Sequence, residues 1–196
     1  HLFGQEKLID YIGDLRFEIS PNSFFQVNTS QVSILYDTAI KFLQPGSLDT
    51  ICDIYSGIGT ISLYAARFAR KVYGIESIRA AVENAKNNAK INGIKNTEFI
   101  ADRAELAFPA LLRAGDVINK VILDPPRKGC DKKVIDALFL LKPERIVYIS
   151  CNPSTLARDA KLLIEGGYEV KAVQPVDMFP HTAHVETVVL MSRKDK

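Results

Sequence analysis

The chain has 196 residues, of which 47% are hydrophobic and 24% charged, and its net charge is +2. At about 150 residues per domain, that length predicts one domain with a core large enough to fold without staples. The composition excludes a disordered tail, a collagen and a disulfide miniprotein, and the near-neutral charge is no nucleic-acid or membrane-surface signature.

In chain order, Ile9, Tyr11 and Ile12, then Leu15, Phe17 and Ile19, flank Gly13-Asp14 as a hairpin would. Ser20-Pro21-Asn22-Ser23 reads as a turn. Val32, Leu35, Tyr36, Ala39, Ile40 and Leu43 keep helical spacing from Gln31 onward, and Pro45-Gly46 ends that helix. Strands and helices then alternate. Strands are expected at 50–55, 71–75, 96–101, 117–123 and 145–150, and helices at 61–69, 78–92, 104–113, 132–140 and 156–165. Residues 168–175 and 184–191 close the chain as two strands with no helix between them. Apolar strands separated by helices imply an α/β, doubly wound, mostly parallel sheet, and the final pair implies an antiparallel end.

No apolar run approaches the ~20 residues that span a bilayer, so no membrane association is expected. Glu6, Lys7 and Asp10 interrupt any signal-peptide core. Cys52, Cys130 and Cys151 are odd in number and irregular in spacing, which fits free thiols in a cytoplasmic, reducing compartment and neither a disulfide framework nor a metal site. The start at His1 points to a piece of a longer protein.

Two segments carry chemistry. Ile51-Cys-Asp-Ile-Tyr-Ser-Gly-Ile-Gly-Thr60 is an apolar strand running into a glycine turn and a helix, so a ligand is expected over Gly57 at the strand's carboxyl end. A dinucleotide fingerprint needs a third glycine, and Ser62 stands in its place. Glu76 closes the next strand, where a carboxylate accepts from both ribose hydroxyls. An acid for ribose without a pyrophosphate loop fits S-adenosylmethionine better than a nicotinamide dinucleotide; the plain alternative is a strand–turn–helix with a capping acid. Asp102, after the third strand, is either an adenine contact or a solvated loop acid.

The second segment, Val121-Ile-Leu-Asp-Pro-Pro-Arg-Lys-Gly129, ends a strand with two prolines that fix its exit, so Asp124 points into the crevice of Gly57 and Glu76. Cys151 ends the neighbouring strand, where a thiol serves as a nucleophile. Cys52 reads as a small core residue, and Cys130 as a bystander. In the loop from Asp177 to Glu186, Glu186 fits a general base, and the histidines read as loop-ordering groups.

These motifs resemble a known family. Asp124-Pro-Pro-Arg-Lys-Gly129, sixteen residues, then Ile146-Val-Tyr-Ile-Ser-Cys-Asn-Pro-Ser-Thr155 is similar to one signature of the RNA uracil-5-methyltransferases. Val176-Asp-Met-Phe-Pro-His-Thr-Ala-His-Val-Glu186 is similar to their second signature, and Phe24-Phe-Gln-Val-Asn28 to the segment opening their catalytic domain. The likeness covers essentially the whole chain and is nearest the bacterial 23S ribosomal RNA branch. It implies a Rossmann-like class I methyltransferase fold with a seven-stranded sheet. Residues 31–196 would form that domain, and residues 1–30 a hairpin segment left from a preceding one. It also implies S-adenosylmethionine as cofactor and RNA, 23S rRNA first, as partner, with the protein a monomer.

By resemblance, Cys151 is the nucleophile and Glu186 the base. Gln26, Tyr55, Thr60, Glu76 and Asp124 line the crevice for cofactor and target base, and Arg127 holds the RNA or the cysteine loop. Phe25 is an aromatic for the extruded base, or else a core residue. Ser56 stands where many relatives have cysteine. Relatives also carry an N-terminal RNA-binding domain, some with an iron–sulfur cluster, and neither is in this chain. A transfer RNA substrate and a cytosine-5-methyltransferase are the enzymatic alternatives, and an RNA-binding module that keeps the fold is the non-enzymatic one. The Cys151–Glu186 pair argues against the last, since binding alone needs no nucleophile.

Overall fold

The structure, a computed structural model, describes residues 7–21, 23–26, 28–115 and 117–194. Glu6 of the signal-peptide argument, Asn22 of the expected turn and Val27 of the motif after it lie outside the described residues. Gly13, with φ +60°, and Asp14 turn β1 (Leu8–Ile12) into β2 (Leu15–Ile19), and the two pair antiparallel with Ile12 opposite Leu15. Asn28 caps α1 (Thr29–Leu43), its side chain accepting from the Gln31 N–H.

Alternation then runs through β3 (Thr50–Ile54), α2 (Thr60–Ala66), β4 (Lys71–Glu76), α3 (Arg79–Ile91), β5 (Thr97–Ala101), α4 (Ala104–Arg113), β6 (Lys120–Leu123), α5 (Lys132–Leu141), β7 (Arg145–Ser150) and α6 (Pro153–Glu165). β8 (Tyr168–Val176) and β9 (Glu186–Arg193) end the chain. The expected strand at 117–123 is shorter, starting at Lys120, and α6 starts earlier, at Pro153, because Asn152 caps it and proline suits the first helical turn.

The seven-stranded sheet has the order β5-β4-β3-β6-β7-β9-β8. Every neighbouring pair from β5 to β7 is parallel, and β9 runs antiparallel to both β7 and β8. The last strand is thus inserted between the two before it, not added at the edge. Side-chain alternation sorts the strands onto two cores. Ile51, Val72, Ile122, Val147 and Ile149 face a core shared with the hairpin, α1, α2 and α3. Cys52, Ile54, Val121, Leu123, Ile146 and Tyr148 face the core under α4, α5 and α6. Burial on both faces explains why these strands read as continuous apolar runs. Among the described residues no helix is long and apolar enough to cross a membrane.

Candidate active site

The parallel strands end at one edge of the sheet, and β9 begins there. In sheet order that edge carries Glu76 at the end of β4, Gly57 after β3, Asp124 after β6, Cys151 after β7 and Glu186 opening β9. The antiparallel register of β7 and β9 ends at Ser150 opposite Thr187. Its next step would set Cys151 against Glu186. All five residues line one cavity of about 620 Å³.

The turn after β3 is held from below. The Tyr55 and Ser56 N–H groups both donate to the Ile75 carbonyl at 2.9 Å. Tyr55 takes φ +76°, a conformation bulky residues seldom adopt, and its side chain lines the cavity. Gly59, at φ +83°, precedes α2 and has no room for a Cβ, which would fall 2.9 Å from Phe99 Cζ. Glu76 Oε2 accepts from the Gly57 N–H at 3.1 Å, and Oε1 from the Ile78 N–H at 2.8 Å and the Ser77 hydroxyl at 3.1 Å. A carboxylate has about four acceptor sites. The two backbone bonds fix its orientation; with the Ser77 hydroxyl three sites are taken, and the remaining capacity grows where that rotatable hydroxyl turns away for a ligand.

The opposite wall is one welded piece. Asp159 is 1% exposed; its Oδ2 accepts from the Cys130 N–H and the Tyr148 hydroxyl, each at 2.7 Å, and its Oδ1 from Arg158 Nε at 2.9 Å. Arg158 Nη2 donates onward to the Lys128 carbonyl at 2.9 Å, and Asn152 Nδ2 and the Thr155 hydroxyl both donate to the Arg127 carbonyl. The loop after Asp124 is thereby fastened to the helix after Cys151. Gly129 is required there: its φ is +81°, and a Cβ would lie 2.6 Å from Asp159 Oδ2.

Electrostatics follow from partial burial. Cys151 is half-buried and Glu186 is 5% exposed. Burial pushes the Cys151 thiol up, Glu186 pushes it further, and the Arg127 cation opposes them. Burial also raises Glu186, again opposed by Arg127. Asp124 is pushed well above the carboxylate range by burial, then by Glu186 and Asp53. Cys130 is buried and its thiol is pushed up to about 12, mainly by burial, so it is no thiolate at neutral pH.

Gln26, Tyr55, Gly57, Glu76, Asp124, Arg127, Cys151 and Glu186 therefore meet at one cavity. Thr60, Asp102 and Phe25 do not line it. The Thr60 hydroxyl is engaged with the Tyr36 hydroxyl at 2.7 Å. Asp102 is exposed and turns back to accept from the Arg103 N–H at 2.7 Å. Phe25 packs inward, its ring centroid 6.0 Å from that of Phe17. Phe24, 72% exposed, lines the cavity instead, together with His184. The signal for Phe24 was present: in an extended segment, alternate side chains share a side, so Gln26 selects Phe24 and not Phe25. Gln26 is 7% exposed, and its Oε1 has no hydrogen-bond partner among the described residues. A buried amide oxygen at a cavity wall calls for a donor from a bound molecule.

A Rossmann-like sheet with this order and these strand-end residues is the fold of class I S-adenosylmethionine-dependent methyltransferases. A precorrin-6y C5,15-methyltransferase from Geobacter metallireducens shares the fold at TM-score 0.70 and 16% identity, over 90% of this chain and 94% of its own. The family described as tRNA (uracil-5-)-methyltransferase matches residues 6–194, and the chain belongs to that family. Curated relatives named uncharacterized RNA methyltransferases include one from Caldanaerobacter subterraneus subsp. tengcongensis, 55% identical over 98% of this chain, and one from Bacillus cereus, 50% identical over 100% of it. The chain spans 42% of the length of each. The crystal structure of Pyrococcus abyssi tRNA (uracil-54, C5)-methyltransferase with S-adenosyl-L-homocysteine superposes at TM-score 0.81 with 35% identity, over 96% of this chain and 45% of that one.

Proposed function

We propose that this chain is the catalytic part of an enzyme that methylates carbon 5 of a uridine in RNA, acting in the cytoplasm and on 23S rRNA first. The observation that carries the proposal is that Cys151 and Glu186 line one cavity together with Glu76 and Gln26. The residues fit S-adenosylmethionine. Glu76 would take the ribose hydroxyls, Ile78, Ala104 and Pro125 would flank the adenine, and Gln26 Oε1 and Asp124 would accept from the amino-acid ammonium. Bound there, the cofactor supplies an electrophilic methyl group.

The protein's own residues account for the rest. Carbon 5 of uracil is a weak nucleophile. Cys151, half-exposed and its proton passed to solvent, adds through sulfur to carbon 6, and the displaced electron pair moves onto carbon 5 and the carbonyl oxygen at carbon 4. Carbon 5 would then take the methyl group, the methyl–sulfur bond breaking with its electron pair left on the cofactor's sulfur, so that neutral S-adenosylhomocysteine departs. Glu186 removes the proton left on carbon 5, the pair re-forms the ring double bond, and the sulfur of Cys151 is expelled. Burial suits Glu186 to this task, because a raised carboxylate is a stronger base. The target base must leave its stack to arrive, and exposed Phe24 offers it a face.

A transfer RNA substrate is the second reading, favoured by the 35% identity to the Pyrococcus abyssi tRNA enzyme. RNA containing 5-fluorouridine tests both, since fluorine cannot leave as a proton and the adduct stalls. With S-adenosylmethionine present, the expected result is an RNA-sized mass on the Cys151 peptide and none in Cys151→Ala. Trapping of rRNA or of tRNA in competition decides between the substrates. A cofactor-loaded protein that methylates uridine with no adduct overturns the covalent route.

A further inference from the structure

Helix α3 carries Asn84 and Asn88, and Asn92 is its C-cap; the three are four residues apart and therefore on one side of the helix. This side faces the outer edge of β2. Arg16 and Glu18 hold positions whose N–H and C=O point away from β1, and such an edge needs partners. Asn92 Oδ1 accepts from the Arg16 N–H at 2.9 Å, and its Nδ2 donates to the Arg16 carbonyl at 2.7 Å, as a strand residue would. Asn88 Oδ1 accepts from the Glu18 N–H at 2.9 Å. Asn84 accepts from the Ser20 hydroxyl at 2.9 Å and donates to the Ser23 hydroxyl at 2.7 Å. The two periods match: four helix residues advance ~6.0 Å and two strand residues ~6.7 Å. The asparagine face thus replaces the missing neighbouring strand.

Asn88 does more than its neighbours. It is fully buried, and its Nδ2 donates to the Ile58 carbonyl at 3.2 Å. Ile58 lies between Gly57 and Gly59, both at positive φ, in the turn whose Gly57 N–H holds Glu76. One amide group therefore spans the hairpin and the turn of the cavity. Asn92 reaches only the hairpin and its own helix.

We infer that Asn88 is a positioning residue for the cofactor, fixing the 57–59 turn through the Ile58 carbonyl and tying its placement to that of the hairpin. This rests on the cofactor assignment above. Asn88→Ala removes the span, and Asn92→Ala is the matched control that loosens the hairpin and the end of α3 without touching the 57–59 turn. Titration calorimetry with S-adenosylhomocysteine, run beside thermal melts, reads both. Asn88→Ala is expected to weaken binding on the order of tenfold, the scale of one lost buried hydrogen bond. Asn92→Ala is expected to lower the melting temperature and to leave affinity within about twofold. Hydrogen exchange of the apo-protein adds a readout free of ligand: the amides of residues 57–59 exchange faster in Asn88→Ala and unchanged in Asn92→Ala. If Asn88→Ala does not fold, Asn88→Ser, whose short hydroxyl cannot span both partners, gives the same comparison. Wild-type affinity and exchange in the Asn88 variant, or equal losses in both variants, overturn the inference. Failure of the wild-type chain to bind S-adenosylhomocysteine overturns the cofactor assignment and this inference with it.

Discussion

Among the described residues, Arg127 acts on both Cys151 and Glu186 to favour their charged forms, while burial and neighbouring carboxylates resist ionisation of the thiol. The thiolate fraction therefore grows as pH rises, and the rate of uridine methylation is expected to climb through the alkaline range. Arg127→Ala should lower the rate several-fold at neutral pH and move the pH profile upward, as initial rates across pH will reveal. Cys151→Ala should remove methylation by at least ~10³-fold while S-adenosylhomocysteine affinity stays within about threefold, because a nucleophile contributes little to holding the cofactor. Asp53 offers a test independent of activity. It is fully buried, its Oδ2 accepts from the Ser62 hydroxyl, its Oδ1 has no hydrogen-bond partner among the described residues, and burial raises it to about 7. A carboxyl raised on folding contributes stability below its unfolded value, and that contribution is lost as pH rises through its folded value. Asp53→Asn should change the melting temperature little at pH 4 and raise it by pH 8, with an upper bound of about 4 kcal/mol.

Elements were legible where periodicity is local, and less so where partners are distant. The alternation in β1 and β2, the spacing in α1 and the apolar runs of β3, β6 and β7 were visible because burial on one or both faces writes them into the sequence. The insertion of β9 between β7 and β8 was not, since pairing order is decided by contacts far apart in the chain. The strand-end positions of Cys151, Glu76 and Asp124 could be read because parallel strands share one functional edge. The inward turn of Phe25, the engagement of Thr60 and the turn of Asp102 onto the Arg103 N–H are local outcomes that no spacing rule names. The asparagine face of α3 went unread for the same reason. Tight element contacts make their own prediction. A Cβ on Gly74 in β4 would lie 2.5 Å from Phe99 Cδ1 in β5. Gly74→Ala should cost roughly 1–3 kcal/mol by overpacking, and Phe99→Leu should recover part of it, so a urea double-mutant cycle should be non-additive.

For the molecule as a whole, two cores on opposite sheet faces carry stability, and surface charge carries little. Lys7–Glu18, Lys86–Glu83, Lys132–Asp136 and Lys161–Glu165 all have an exposed partner, whereas Lys120–Asp49 is largely covered. Exposed pairs contribute about 0–1 kcal/mol each and are screened by salt. One molar sodium chloride should therefore move the melting temperature by less than about 3 °C in scanning calorimetry. The Asp159 fastening bears on a different property. By joining the loop after Asp124 to the helix after Cys151, it makes the cavity a vise with one fixed jaw. The other jaw is formed by Phe24 and His184, both exposed. Libraries meant to admit a bulkier pyrimidine belong on that second jaw, where a changed outline leaves the spacing of thiol and carboxylate untouched.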